Sequence, residues 1–169
     1  MLTQFTLVVL VASRTVAQSA TDVGTNLLGS AVGAFLGTLI VGGIMILVFP
    51  DYTERTVRTL RRDPGPSLLY GLLTLVALIV LTVLLVLTIV GILVVIPLAF
   101  LAYILWAVGA AIAFITIGDR LVGHEGGWTA ALVVGSAING VLVLTGIGGF
   151  VSFLIGAAGF GAVIHGYLG

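Results

Sequence analysis

The chain has 169 residues, of which 60% are hydrophobic and only 7% charged, at a mean hydropathy of +1.36; this is the composition of a membrane protein, not of a soluble domain. Six basic residues balance six acidic ones to a formal net charge of zero, which excludes an electrostatic grip on nucleic acid. With no cysteine, a disulfide framework, a thiolate metal site and a cysteine nucleophile are all excluded.

Residues 1–20 hold a short apolar patch (5–12) followed by Ala17-Gln18-Ser19, the small-x-small form of a signal-peptidase site. No positive charge precedes the patch and Arg14 follows it. Residues 1–26 are therefore read as a weak signal peptide or lead-in segment, with the N-terminus outside. Residues 27–169 are read as a single polytopic membrane domain.

The first span is expected over 27–49, ended by Pro50. Gly29, Gly33 and Gly37 recur at intervals of four, which puts them on one helix face where another backbone can approach closely. The expected use of that ridge is packing against the protein's own helices, with self-association as the alternative.

Residues 51–67 read DYTERTVRTLRRDPGPS. Asp51 and Glu54 have capping-box spacing, and Asp51/Arg55 and Glu54/Arg58 are spaced i, i+4. The pattern predicts a short helix in the headgroup layer, stopped by Asp63-Pro64-Gly65-Pro66. Arg55, Arg58, Arg61 and Arg62 are four of the six basic residues, so the positive-inside rule places 51–66 in the cytoplasm. These arginines are the candidate contact for a partner or an anionic lipid.

From Ser67 to Gly118 there is no Asp, Glu, Lys, Arg or His. A straight helix of that length would be roughly 78 Å long, against about 30 Å of hydrocarbon. The segment must cross and return, with spans at 68–90 and 95–117, a turn around Gly91, and Pro97 opening the second helix. Tyr70 and Tyr103 suit interfacial positions; Trp106 falls mid-span and should pack internally. The loop 118–127 then returns to the cytoplasm.

A second hairpin follows, with spans at 128–145 and 150–168 around a Gly-rich turn. Its small residues, including Gly156 and Gly161, recur at four-residue spacing and predict tight helix packing. Asn139 is the only carboxamide inside a span, and a hydrogen bond to a neighbouring helix is its expected role. Both hairpins have a glycine-containing tip and a charged inner end, a loose hint of internal repetition. The fold class is thus all-α integral membrane protein, with five transmembrane helices arranged as one N-terminal span plus two helical hairpins.

No ionisable group falls at membrane depth, where pumps and proton relays keep theirs. Asp119, His124, Glu125 and His165 form the one set resembling a metal or acid–base constellation, but their spacing matches no ligand motif. Nucleophile elbow and P-loop patterns are absent from the sequence. No catalytic, cofactor-binding or metal residue is assigned, no cofactor is expected, and the chain is read as a non-enzyme.

One resemblance adds to this. Phe49-Pro50, then Thr56-Val57-Arg58, Asp63-Pro64-Gly65-Pro66-Ser67-Leu68-Leu69-Tyr70-Gly71, Ile89-Val90-Gly91, Ile96-Pro97-Leu98 and Gly118-Asp119-Arg120 occur in this order. The order is similar to that of an uncharacterised prokaryotic polytopic membrane domain found with polymer-forming, bactofilin-like β-helical proteins. The resemblance covers about 27–169, and this chain lacks the β-helical repeat of the fused proteins. It implies a multi-pass protein of a prokaryotic cell membrane and carries over no catalytic residue. The expected function is a non-enzymatic membrane scaffold or anchor subunit, associating with a bactofilin-like polymer, another protein or a second copy of itself. A small transporter or channel is the alternative. The bilayer is the first partner, and neither nucleic acid nor a small-molecule substrate is indicated.

Overall fold

A computed structural model describes residues 2–123 and 127–168. It is 94% helical, with six helices and no strand among the described residues: α1 (Leu2–Val48), α2 (Pro50–Arg62), α3 (Pro64–Val86), α4 (Ile89–Val122), α5 (Gly127–Leu144) and α6 (Gly148–Leu168). All but α2 contain a stretch long and apolar enough to cross a bilayer. This is an all-α protein of membrane type.

α1 is 47 residues long and runs unbroken from the expected lead-in into the first span. It ends where Pro50 removes a backbone donor and takes the N1 position of α2. The N-cap of α2 is Phe49 and carries no side-chain cap bond, so the capping box expected at Asp51 and Glu54 does not form; with Pro50 at N1 the N-cap falls two residues before Asp51. The α1–α2 corner is instead closed by Thr53, whose Oγ1 donates to the Met45 carbonyl at 3.0 Å and the Phe49 carbonyl at 2.9 Å. Both carbonyls also accept a backbone N–H, from Phe49 and from Thr53 respectively, each at 3.0 Å, so the buried hydroxyl adds a second donor at the corner.

The first hairpin turns earlier than expected. Thr88 is the N-cap of α4: its Oγ1 accepts from the Gly91 N–H at 2.9 Å and donates to the Leu85 carbonyl at 2.9 Å. One hydroxyl thereby closes α3 and opens α4. Pro97 consequently lies inside α4 instead of at its start, a placement membrane helices tolerate. The spans become Pro64–Val86 and Val90–Val122. The second hairpin repeats the device: Thr145 Oγ1 donates to Leu142 at 2.7 Å and accepts from Gly148 at 3.0 Å. The sequence signal is Leu85-Val86-Leu87-Thr88 with Gly91, matched by Leu142-Val143-Leu144-Thr145 with Gly148.

The repetition extends to how the hairpins grip each other. A Cβ on Gly71 of α3 would strike the Ala157 carbonyl of α6, and one on Gly161 would strike the Ser67 carbonyl and Gly71 backbone of α3. A Cβ on Gly135 of α5 would strike the Phe114 carbonyl of α4, and one on Gly118 the Ala131 carbonyl and Gly135 backbone of α5. Ser67/Gly71 on Ala157/Gly161 is therefore the same joint as Ala131/Gly135 on Phe114/Gly118. The hairpins cross-pack, α3 with α6 and α5 with α4, as two parallel repeats. Along the middle, Gly109 of α4 meets Gly159 and Phe160 of α6. Trp106 lies with its ring centroid 5.0 Å from Phe153 and 5.9 Å from Phe160, and it fills the space a side chain on Gly156 would need.

α1 flanks this unit along α5. Asn139 Nδ2 donates to Thr38 Oγ1 at 2.7 Å and more weakly to the Ala34 carbonyl at 3.4 Å. Gly140 faces Ala31 and Phe35, and Gly42 faces Leu132 and Ile115. Gly29, Gly33 and Gly37 do not take part: a Cβ on any of them meets nothing within 4 Å. The expected packing of that ridge against the protein's own helices is therefore absent among the described residues. The reason is rotational, since the α1 face toward α5 carries Ala31, Thr38 and Gly42, which are buried.

Candidate functional site

The polar chemistry of the described residues gathers at the α2 end of the bundle. α2 is strongly amphipathic, with Thr53, Thr56, Val57 and Leu60 buried. Val57 packs with Met45, Ile112 and Val163, and Leu60 with Ala113 and Ala162. The apolar face expected in the headgroup layer is thus committed to the ends of α1, α4 and α6. α2 plugs the bundle, leaving only its charged face outward.

That face sorts the four arginines. At about 100° per residue, Arg62 falls roughly 20° from Arg55, whereas Arg61 is about 120° away. Arg61 accordingly turns inward and pairs with Asp119 at the end of α4, the two side chains being 28% and 13% exposed. Its Nε is buried without a hydrogen-bond partner. Arg61 is thus a structural tie between α2 and α4, which corrects its expected place in a partner-facing set. Arg58 pairs with Glu54 on the surface; the companion pair Asp51/Arg55 does not form. Arg55 and Arg62 are exposed and make no ion pair among the described residues.

Two hollows result. One, of about 250 Å³, is lined by Glu54, Arg58, Arg61, Asp119 and Trp128 among others. The other, of about 550 Å³, lies between α2 and the end of α6, with Arg55, Arg58, Arg62 and Asp63 on one wall and Val163, His165 and Gly166 on the other. The His165 ring rests against Tyr70 of α3, centroids 5.0 Å apart.

His124 and Glu125 lie outside the described residues. Asp119 and His165 face different hollows, and no three His, Asp or Glu side chains come together among the described residues. At mid-bundle, Asn139, Gly156 and Gly161 are buried at helix contacts. Three glycines outside the predicted set also sit at helix joints: Gly71 of α3 against Gly161, and Gly109 and Gly118 of α4 against Gly159 and Gly135. Gly71 carries a sequence signal, a lone glycine in a run of large aliphatics where lipid exposure alone would not call for one.

The family described as Domain of unknown function (DUF8173) matches residues 1–168. The chain belongs to that family. No curated protein and no solved structure matches this DUF8173 chain. The match includes the first 26 residues as well as the stretch that carries the bactofilin-associated resemblance.

Proposed function

We propose that this protein is a non-enzymatic membrane scaffold or anchor that holds another protein through its outward surfaces. The observation carrying this reading is the contrast between glycine ridges. Those of α3 to α6 are locked backbone to backbone, while Gly29, Gly33 and Gly37 of α1 meet nothing within 4 Å. In lipid, a small-residue ridge is where helices associate. The resemblance supplies a partner class, a polymer-forming bactofilin-like protein. The filled mid-bundle region, with Gly109 on Gly159 and Trp106 on Phe153, favours a scaffold over a conduit.

The test is purification from native membranes in mild detergent, comparing wild type with Gly33→Leu. The reading expects a protein partner, or a second copy, at fixed stoichiometry with wild type and its loss from a variant that remains folded. A protein that purifies alone in both forms and conducts solute in proteoliposomes would overturn it.

The same reading places the N-terminus outside and residues 51–66 in the cytoplasm of a prokaryotic cell. The chain lacks native cysteine, so single cysteines report orientation. Leu87 and Ile147, 78% and 79% exposed at the two tips, are suitable sites, whereas Gly91 and Gly148 press on carbonyls. Leu87→Cys and Ile147→Cys should react with an impermeant maleimide from outside, and Asp51→Cys should not.

A further inference from the structure

We infer that the hollow between α2 and the end of α6 is a binding site for a phosphate-bearing anion, the charge coming from Arg55 and Arg62. Several observations meet there. The apolar face of α2 is consumed by Val57 and Leu60, so this helix has no greasy face left for the membrane and turns only its charged face outward. Arg58 is neutralised by Glu54 and Arg61 by Asp119. Arg55 and Arg62, two turns apart on one face, are left with their charge, and both line the hollow. Among the described residues of its lining the one carboxylate is Asp63, set against the two unpaired guanidinium groups of Arg55 and Arg62.

The opposite wall makes this a cleft instead of a charged helix surface. His165 comes from α6, and Tyr70 of α3 braces its ring. An imidazole N–H donates to a phosphate oxygen, and guanidinium groups bind phosphate with paired N–H donors. Thr59 lines the cleft, but its hydroxyl is already spent on the Arg55 carbonyl at 3.1 Å. At about 550 Å³ the space exceeds what a bare phosphate fills and lies in the range of small-molecule sites. Its place at the end of the spanning helices puts it at headgroup depth, where basic pockets between helices take anionic lipid heads. A phosphorylated lipid head and a soluble phosphate share this chemistry, and the experiment separates them.

The full chain is reconstituted in nanodiscs of phosphatidylcholine with increasing phosphatidylglycerol, and in parallel in phosphatidylcholine alone with inorganic phosphate. Thermal unfolding reports binding in both arms. Three variants are compared with wild type: Arg55→Gln with Arg62→Gln, His165→Ala, and Arg120→Gln as an exposed arginine outside the cleft. Arg55 and Arg62 are exposed and unpaired among the described residues, so the double variant keeps the fold, which circular dichroism verifies. Stabilisation by phosphatidylglycerol is expected, with apparent affinity falling about thirty-fold in the double variant. The fall should be smaller in His165→Ala and absent in Arg120→Gln. Stabilisation by inorganic phosphate alone, with the same variant order, assigns the site to a soluble phosphate. Equal losses in the double variant and Arg120→Gln, an unaffected His165→Ala, or no stabilisation by either probe would each overturn the site.

Discussion

The two hairpins share one plan and live in different surroundings. Each turns on a threonine that closes one helix and caps the next, and each contributes a small-residue joint that locks the other hairpin. The first is greasier and more exposed: only 6% of the most apolar window of each of its helices is buried, against 33% and 44% for α5 and α6. The first is also longer. Thr88 comes 17 residues after Gly71 (88 − 71), whereas Thr145 comes 10 after Gly135 (145 − 135). Gly118 follows Thr88 by 30 (118 − 88), and Gly161 follows Thr145 by 16 (161 − 145). The added lengths, seven and fourteen residues, are close to two and four helical turns, so the first tip is raised without rotating the joints out of register. Inside a membrane, large aliphatic side chains have no reason to leave lipid. Small residues are what bring backbones together, so the less hydrophobic hairpin becomes the core.

This comparison can be broken most forcefully at a joint. Gly71→Leu drives a side chain into the Ala157 carbonyl. Because backbone cannot yield as a side-chain end can, the expected cost is about 3 kcal/mol or more, read as loss of folded protein in detergent or a large fall in Tm. Gly118→Leu, its counterpart in the other joint, should do the same; a mild effect at one alone would break the equivalence. Next comes the tie beneath the hairpins. Arg61→Ala leaves the Asp119 carboxylate, 13% exposed, without its partner. About 2–3 kcal/mol is expected, below the range for fully buried pairs, and Arg58→Ala on the surface should cost under about 0.5 kcal/mol. Smaller again are the tips. Thr88→Val and Thr145→Val should each lose about 1 kcal/mol, and nearly equal losses by thermal unfolding would sharpen the case for repetition. Asn139→Leu, which removes the bond to Thr38, should cost about 0.6 kcal/mol, the usual scale for such bonds between membrane helices.

Much of the architecture was legible because hydrocarbon thickness makes length and apolarity decisive: an uncharged run from Ser67 to Gly118 can only be a hairpin. The turn was misplaced because Gly91 and Pro97 are louder signals than Thr88, although one hydroxyl there satisfies both helix ends. The fate of α2 was not legible. An amphipathic pattern shows that one face is apolar without showing whether lipid or protein covers it. The same limit explains the glycines of α1, whose spacing matches that of the true joints. The separation of Arg61 from Arg55 and Arg62, by contrast, was readable from helical angle alone. The cleft was not, since its second wall arrives from His165 more than a hundred positions away.

The most direct test compares two glycines on neighbouring helices. Thermal unfolding of Gly135→Leu and Gly33→Leu, in the same detergent and beside wild type, asks whether small residues are sorted as described. Gly135 presses on the Phe114 carbonyl, and Gly33 has nothing within 4 Å. The account expects Gly135→Leu to be unfolded or strongly destabilised and Gly33→Leu to stay within about 0.5 kcal/mol of wild type. Equal destabilisation, or a reversal with Gly33→Leu the worse, would contradict it.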